Sequence, residues 1–184
     1  MSFEEKFKKG YELLHEQDLD HSLDIARELQ KMNSESAEGY MLEAEVMQKL
    51  NQWEASVKAL HEAIEKDPES GRLFNLRGYS LLNMEKIQEA EEDFTRAIRL
   101  DDLPAAHRNR VLCQIMSGRG QEAIRYLLDR IKSDPSDVEN WIMMGDLMKK
   151  GGHSEKAESY YQQAAKMDPD NDYVQRQLSG KQAD

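Results

Sequence analysis

The sequence predicts an all-α array of about five helix–turn–helix repeats, on three observations. Apolar residues recur at helical spacing almost throughout, and strand-like alternation is nowhere sustained. Asp-Pro pairs punctuate the chain at Asp67-Pro68, Asp134-Pro135 and Asp168-Pro169, with Asp101-Asp102 in the equivalent place. Small residues keep the same beat: Gly10, Ala44, Gly78, Val111 and Gly145 are separated by 34, 34, 33 and 34 residues, and Ser22, Ser56, Ala90, Ala123 and Ala157 repeat those spacings. A fixed period of this size marks stacked supersecondary units, each of which buries its apolar face only against its neighbours.

The repeats fall at approximately 3–36, 37–70, 71–103, 104–137 and 138–171. Each reads as two antiparallel helices whose backbones approach closely at the small residues. Four positions after each member of the second small series comes a larger side chain to fill the gap: Leu60, Phe94, Leu127 and Tyr161, with Ala26 the weak case. The first repeat opens on Ser2 and Glu5 at capping-box spacing and then rests on Gly10, Leu13, Leu19, Ser22 and Leu29. The second ends at Asp67, because a residue before proline disfavours helical angles. The third is dense, through Phe74, Gly78, Leu81, Ala90, Phe94 and Ala97. The one-residue deletion belongs in the Asp101–Pro104 loop, before a fourth repeat that turns at Gly118 and Gly120. Ser136 and Glu139 give the fifth a second capping-box start, and Gly151-Gly152 its turn. Residues 172–179 read as a short capping helix, so that 1–179 form one array and 180–184 a disordered tail.

The last repeat carries Trp141, Met144-Gly145, Met148, Ala157, Tyr161, Ala164 and Pro169. With these residues the chain resembles the tetratricopeptide repeat (TPR) family, whose pattern is W-x2-L-G-x2-Y…A-x3-F…P, over residues 3–171. The resemblance implies a right-handed α-solenoid. One departure is systematic: where the family has Leu before the small residue of the first helix, this chain has Lys9, Glu43, Arg77 and Arg110, and only finally Met144. Such positions lie near one another in adjacent repeats, so Glu43 is expected to pair with Lys9 or Arg77.

Composition narrows the function. The net charge of −11 disfavours binding to phosphate backbones, so no nucleic-acid partner is expected. That charge is uneven: Arg96–Lys132 holds eight basic against four acidic residues, a net +4, and the remainder carries −15. Cys113 is the single cysteine, which fits a reducing compartment. The start has no apolar run behind its lysines, and no apolar stretch reaches the roughly 20 residues that cross a bilayer. A cytoplasmic protein without membrane insertion is expected. No histidine has a second His or the cysteine three or four positions away, no phosphate-cradling glycine loop occurs, and His61 and His107 read as surface or groove residues. No cofactor, metal site or catalytic centre is expected.

In the TPR family the first helices of successive repeats line a concave groove that receives a peptide or a helix, and the resemblance implies the same here. Groove positions recur at spacings of three and four along each first helix. Projected onto this sequence they include Phe7 and Tyr11, Met41 and Glu45, then Arg72, Asn75 and Tyr79, then Arg108, Asn109 and Leu112, and finally Ile142. The aromatic and apolar members are not required by the repeat motif, and aromatic and arginine residues are frequent interface anchors. The chaperone-type clamp of the family, which grips a carboxylate with Lys and Asn, is not matched: the corresponding helices offer Phe7, Tyr11, Met41 and Glu45. The expected function is a scaffold for a protein or peptide partner. Two alternatives stand beside it: a chaperone for secretion or assembly substrates, and a self-assembling homo-oligomer.

Overall fold

The computed structural model describes residues 1–180; the expected disordered tail therefore falls, from Lys181 on, outside the described residues. Among the described residues there are eleven helices and no strand. They run α1 (Phe3–His15), α2 (Leu19–Met32), α3 (Glu38–Lys49), α4 (Trp53–Lys66), α5 (Gly71–Asn83), α6 (Ile87–Asp101), α7 (Pro104–Met116), α8 (Gly120–Ser133), α9 (Val138–Lys150), α10 (Ser154–Met167) and α11 (Asp172–Ser179). The chain divides into two compact units, Met1–Cys113 and the part from Gln114 on.

From α1 to α6 each helix packs on the next in sequence, and the first helices of consecutive repeats also touch, α1 on α3 and α3 on α5. Ser2 closes α1 in a complete capping box with Glu5. At Gly78 an added Cβ would stand 2.8 Å from the Phe94 ring and 3.1 Å from the carbonyl of Ala90, so only glycine admits the ring there. Ser22 Oγ donates to the Gly10 carbonyl at 2.9 Å, tying α2 to α1. A cluster of Leu81, Leu82, Ala90, Phe94, Ala97, Ala106 and Cys113 joins α7 to α5 and α6. In the second unit α8, α9, α10 and α11 pack in series over Leu127, Met144, Tyr161 and Val174. Asp146 Oδ1 accepts from both the Tyr161 and Tyr173 hydroxyls, at 2.7 and 2.6 Å, which fastens α11 to the last helix pair.

Asp67, Asp134 and Asp168 end α4, α8 and α10 in non-helical conformations, as expected of a residue before proline. The deletion falls in the Asp101–Pro104 loop: α6 runs on to Asp101, Asp102 turns left-handed at φ 46°, and α7 starts directly after Leu103. Three local expectations are overturned. Glu43 meets neither Lys9 nor Arg77; its carboxylate accepts from Gln30 Nε2 at 2.6 Å, Lys9 leans to Glu12, and Arg77 forms a two-pronged bond with Asp93 at 2.8 Å. The nearest polar partner of each side chain lies on the second helix of a hairpin or its own helix, not across the seam of first helices. The cap of α9 is Asp137, whose side chain accepts from the Glu139 amide, while Ser136 is spent on Asp134. His107 is buried, not displayed, and its Nε2 lies 2.6 Å from Asp102 Oδ1.

All five turns within repeats close in the same way. The backbone is left-handed at Gln17, Asn51, Glu85, Gly118 and Gly152, and the amide of the following residue donates to the carbonyl five positions back: Asp18 to Leu13, Gln52 to Met47, Lys86 to Leu81, Arg119 to Gln114 and His153 to Met148. A left-handed conformation costs an ordinary residue about 1 kcal/mol or more, and glycine almost nothing. No atom lies within 4 Å of a Cβ added at Gly152, so the backbone alone decides. Urea unfolding should therefore show Gly152→Ala destabilised by about 1 kcal/mol and Glu85→Gly unchanged or slightly stabilised. Equal effects of the same sign at both sites would contradict this account of the turns.

Candidate functional site

The projected stripe lies largely in the first unit, on α1, α3, α5 and α7, and its members separate into three groups. Met41 is 8% exposed and belongs to a core cluster with Leu60 and Leu73, on which Phe7 and Tyr11 pack half-buried. The Phe7 and Tyr11 rings meet edge-on at 5.0 Å. These apolar positions hold the first helices together, which leaves less of their surface for a partner. Ile142, on α9 of the second unit, is likewise buried.

The second group is polar and crosses three repeats. Tyr11 Oη donates to Glu45 Oε1 at 2.6 Å, and Arg72 Nη2 donates to the same carboxylate oxygen at 2.7 Å and to Tyr11 Oη at 3.1 Å. The guanidinium also lies over the Tyr11 ring, 5.6 Å from its centroid. Burial, then the Glu45 charge, pushes the Tyr11 hydroxyl far above its ordinary value, against an opposing pull from Arg72. One residue from each of α1, α3 and α5 thus meets at a point, and Tyr11 and Glu45 hold the same place in their repeats. Asn75 and Asn109 meet weakly at 3.4 Å between α5 and α7.

The third group projects. Tyr79 is 42% and Leu112 39% exposed, at equivalent places on α5 and α7, and Arg72 and Arg108 are exposed on the same two helices. The projection missed Trp53, which packs edge-on against Tyr79 at 6.0 Å. It opens a second helix, α4, and considering first helices alone could not find it; its half-buried indole lengthens the apolar end of the face. Gln48, on α3, donates to the Leu76 carbonyl and Ser80 Oγ, both at 2.9 Å, within the seam. Among the described residues no group of three or more His, Cys, Asp and Glu could hold a metal ion, and no helix is long and apolar enough to cross a membrane.

Models of the tetratricopeptide repeat match residues 38–70, 75–138 and 138–171, most of the chain. The chain belongs to the tetratricopeptide repeat family. No curated protein sequence matches it. Among solved TPR structures, it is similar to PilW, a type IV pilus biogenesis factor, at 16% identity and TM-score 0.77, covering 96% of this chain and 86% of that one. It is similar to TTC0263, a TPR protein of Thermus thermophilus, at 14% identity and TM-score 0.76, covering 97% and 98%. It is also similar to YrrB, described as a TPR protein with an unusual peptide-binding site, at 19% identity and TM-score 0.65, covering 93% and 89%. At these identities the likeness is one of TPR fold.

The buried hydroxyls give the TPR chain a pH signature. Tyr11 and Tyr161 are held far above, and Tyr173 up to about 12, by burial first and a neighbouring carboxylate second. An unfolded tyrosine ionises near pH 10, so the folded state loses stability as pH rises beyond about 10 and loses nothing on this account below it. Near-ultraviolet phenolate absorbance followed with circular dichroism should show Tyr11 and Tyr161 ionising only as helicity is lost. Ionisation of all seven tyrosines together near pH 10 with full helicity would contradict these contacts.

Proposed function

We propose that this TPR protein is a cytoplasmic scaffold that binds a peptide or helix of a partner protein across the first-helix face of α5 and α7. The observation that carries the reading is the projecting pair Tyr79 and Leu112 beside Arg72 and Arg108, in a stripe whose other apolar members are packed away. Large aromatic and aliphatic side chains left exposed at repeat-equivalent places gain most by being covered. Arginine and tyrosine are also the side chains that concentrate binding energy. Membership of the TPR family supports the scaffold reading, and a single buried cysteine is compatible with a reducing compartment.

The test is a titration of a purified partner, first captured on the wild-type chain, against wild type and a Tyr79→Ala, Leu112→Ser double variant. Both positions are exposed, so helicity should be retained while affinity falls about tenfold or more, the size of one lost anchor. Undiminished binding by a fully helical double variant would move the site off this face.

A further inference from the structure

A recurring pair of buried residues lacks its last member. Val46-Met47, Ser80-Leu81, Cys113-Gln114 and Leu147-Met148 hold one place in the second halves of α3, α5, α7 and α9, at intervals of 34, 33 and 34 residues. None of the eight is more than 9% exposed. The seam between the second and third repeats shows what this place does. Ser80 of α5 shares a hydrogen bond with Ser56 of α4 at 2.9 Å, and Val57 of α4 packs on the cluster that holds Leu81 and Leu82. The pair there covers the first turns of the preceding second helix. One period after Leu147-Met148 the place falls on Lys181 and Gln182, past the end of α11. That helix is 8 residues long, against 12 or 13 for the first helices before it, and it stops where Gly180 turns left-handed at φ 67°.

A cavity of about 270 Å³ lies at that place, wholly within the second unit. It is bordered by Ser154, Ala157, Glu158 and Tyr161 of α10 and by Leu178 and Gly180 at the end of α11. These residues are the counterparts, three repeats on, of those in the earlier seam. Ala157 stands for Ser56, Glu158 for Val57, and Ser154 and Gly180 for Trp53 and Tyr79, whose rings meet at 6.0 Å. Two rings are thus replaced by a hydroxymethyl group and a hydrogen, beside a first helix that ends early. The volume falls just under the roughly 300 Å³ at which small-molecule sites begin, so it suits side chains better than a free small molecule. Lys149 and Glu158 border the cavity with opposite charges and offer no net charge to an ionic ligand, while the buried Ala157 and the Tyr161 ring are apolar.

We infer that this cavity is a docking site for a partner protein, which lays a turn of helix with two adjacent apolar side chains where the first helix of a sixth repeat would continue. The chain's own repeats supply the template: each of the four earlier pairs comes from a helix and includes an apolar side chain or a thiol. Lysine is almost never fully buried unless paired, so Lys181 is the wrong residue type to close the place of Val46, Ser80, Cys113 and Leu147. The cavity is a different surface from the α5–α7 face, and its role does not depend on the scaffold reading above.

A displayed library of random twelve-residue peptides, selected on the full chain with excess soluble Ser154→Trp variant as competitor, tests this. Ser154 is exposed at the start of α10 and its replacement by an indole fills the cavity, so the competitor removes peptides that bind elsewhere. The inference expects enriched peptides to carry two adjacent residues drawn from valine, leucine, isoleucine and methionine. They should bind Ser154→Trp about tenfold or more weakly, and bind the Tyr79→Ala, Leu112→Ser variant as well as wild type. Circular dichroism checks each variant, with Ser154→Phe replacing Ser154→Trp if helicity is lost. Enriched peptides without an apolar pair would overturn the assigned chemistry, and no cavity-dependent enrichment would overturn the docking site. Enrichment only on a chain ending at Gly180 would make this chain's own last four residues the occupant. Association of the wild type in sedimentation, abolished by Ser154→Trp, would make it a second copy of the chain, equally contrary to the inference. None of these results touches the α5–α7 reading, which has its own variant.

Discussion

The structure depends on how closely the two helices of a repeat can approach. At two first-helix glycines the second helix inserts a ring: Phe94 against Gly78, and Tyr161 against Gly145, where an added Cβ would lie 2.6 Å from the ring; Gly10 meets the aliphatic side chains of Leu42 and Ile25 instead. The small residue of the first helix sets how closely its pair approaches. Because a lone pair cannot bury its apolar surface, every hairpin depends on its neighbours. The turns follow from that approach, since two helices this close and antiparallel need an abrupt reversal. The left-handed residue, followed by one whose amide donates to the carbonyl five positions back, supplies that reversal in every repeat.

The polar network of the first unit grows from the same stacking. Bringing α1, α3 and α5 side by side places Tyr11, Glu45 and Arg72 within hydrogen-bonding distance, although they are far apart in sequence. Deeper in, Gln48, Ser56 and Ser80 form a buried chain at 2.9 Å that satisfies polar groups between repeats. Arg77 and Asp93 pair in a largely buried setting with the guanidinium over Phe74, and the Asp93 bond holds the Arg77 charge more firmly than usual. These contacts fix the register of neighbouring helices, and the exposed side chains of α5 and α7 are presented on the scaffold they create.

Much of this architecture was legible in the sequence because it is periodic. The 34-residue beat, the Asp-Pro stops, the deletion near Asp102 and the final helix all rest on residue types whose backbone or volume has one structural meaning. The turns at Gly118 and Gly152 were legible for that reason, whereas Gln17, Asn51 and Glu85 adopt the same left-handed conformation without a glycine to announce it. Side-chain partners were less legible. Glu43 has Lys9 and Arg77 at equivalent places in the adjacent repeats, yet Gln30 and Asp93 intervene, because pairing depends on reach and direction as well as register. The stripe of first-helix positions follows the repeat, but periodicity does not reveal which members a neighbour covers. Met41 and Ile142 share a register with exposed residues and are themselves buried. Trp53 reaches the face from a second helix, so no first-helix pattern contains it.

The central claim is that the α5–α7 face meets another molecule and is not merely one more packed flank of the array. Amide hydrogen exchange along the chain, with and without a bound partner segment, tests it directly. The account predicts that binding slows exchange in α5 and in the first three turns of α7, with the outward sides of α4 and α6 unchanged. Protection confined to the second helices, with α5 and α7 exchanging as in the free chain, would contradict it.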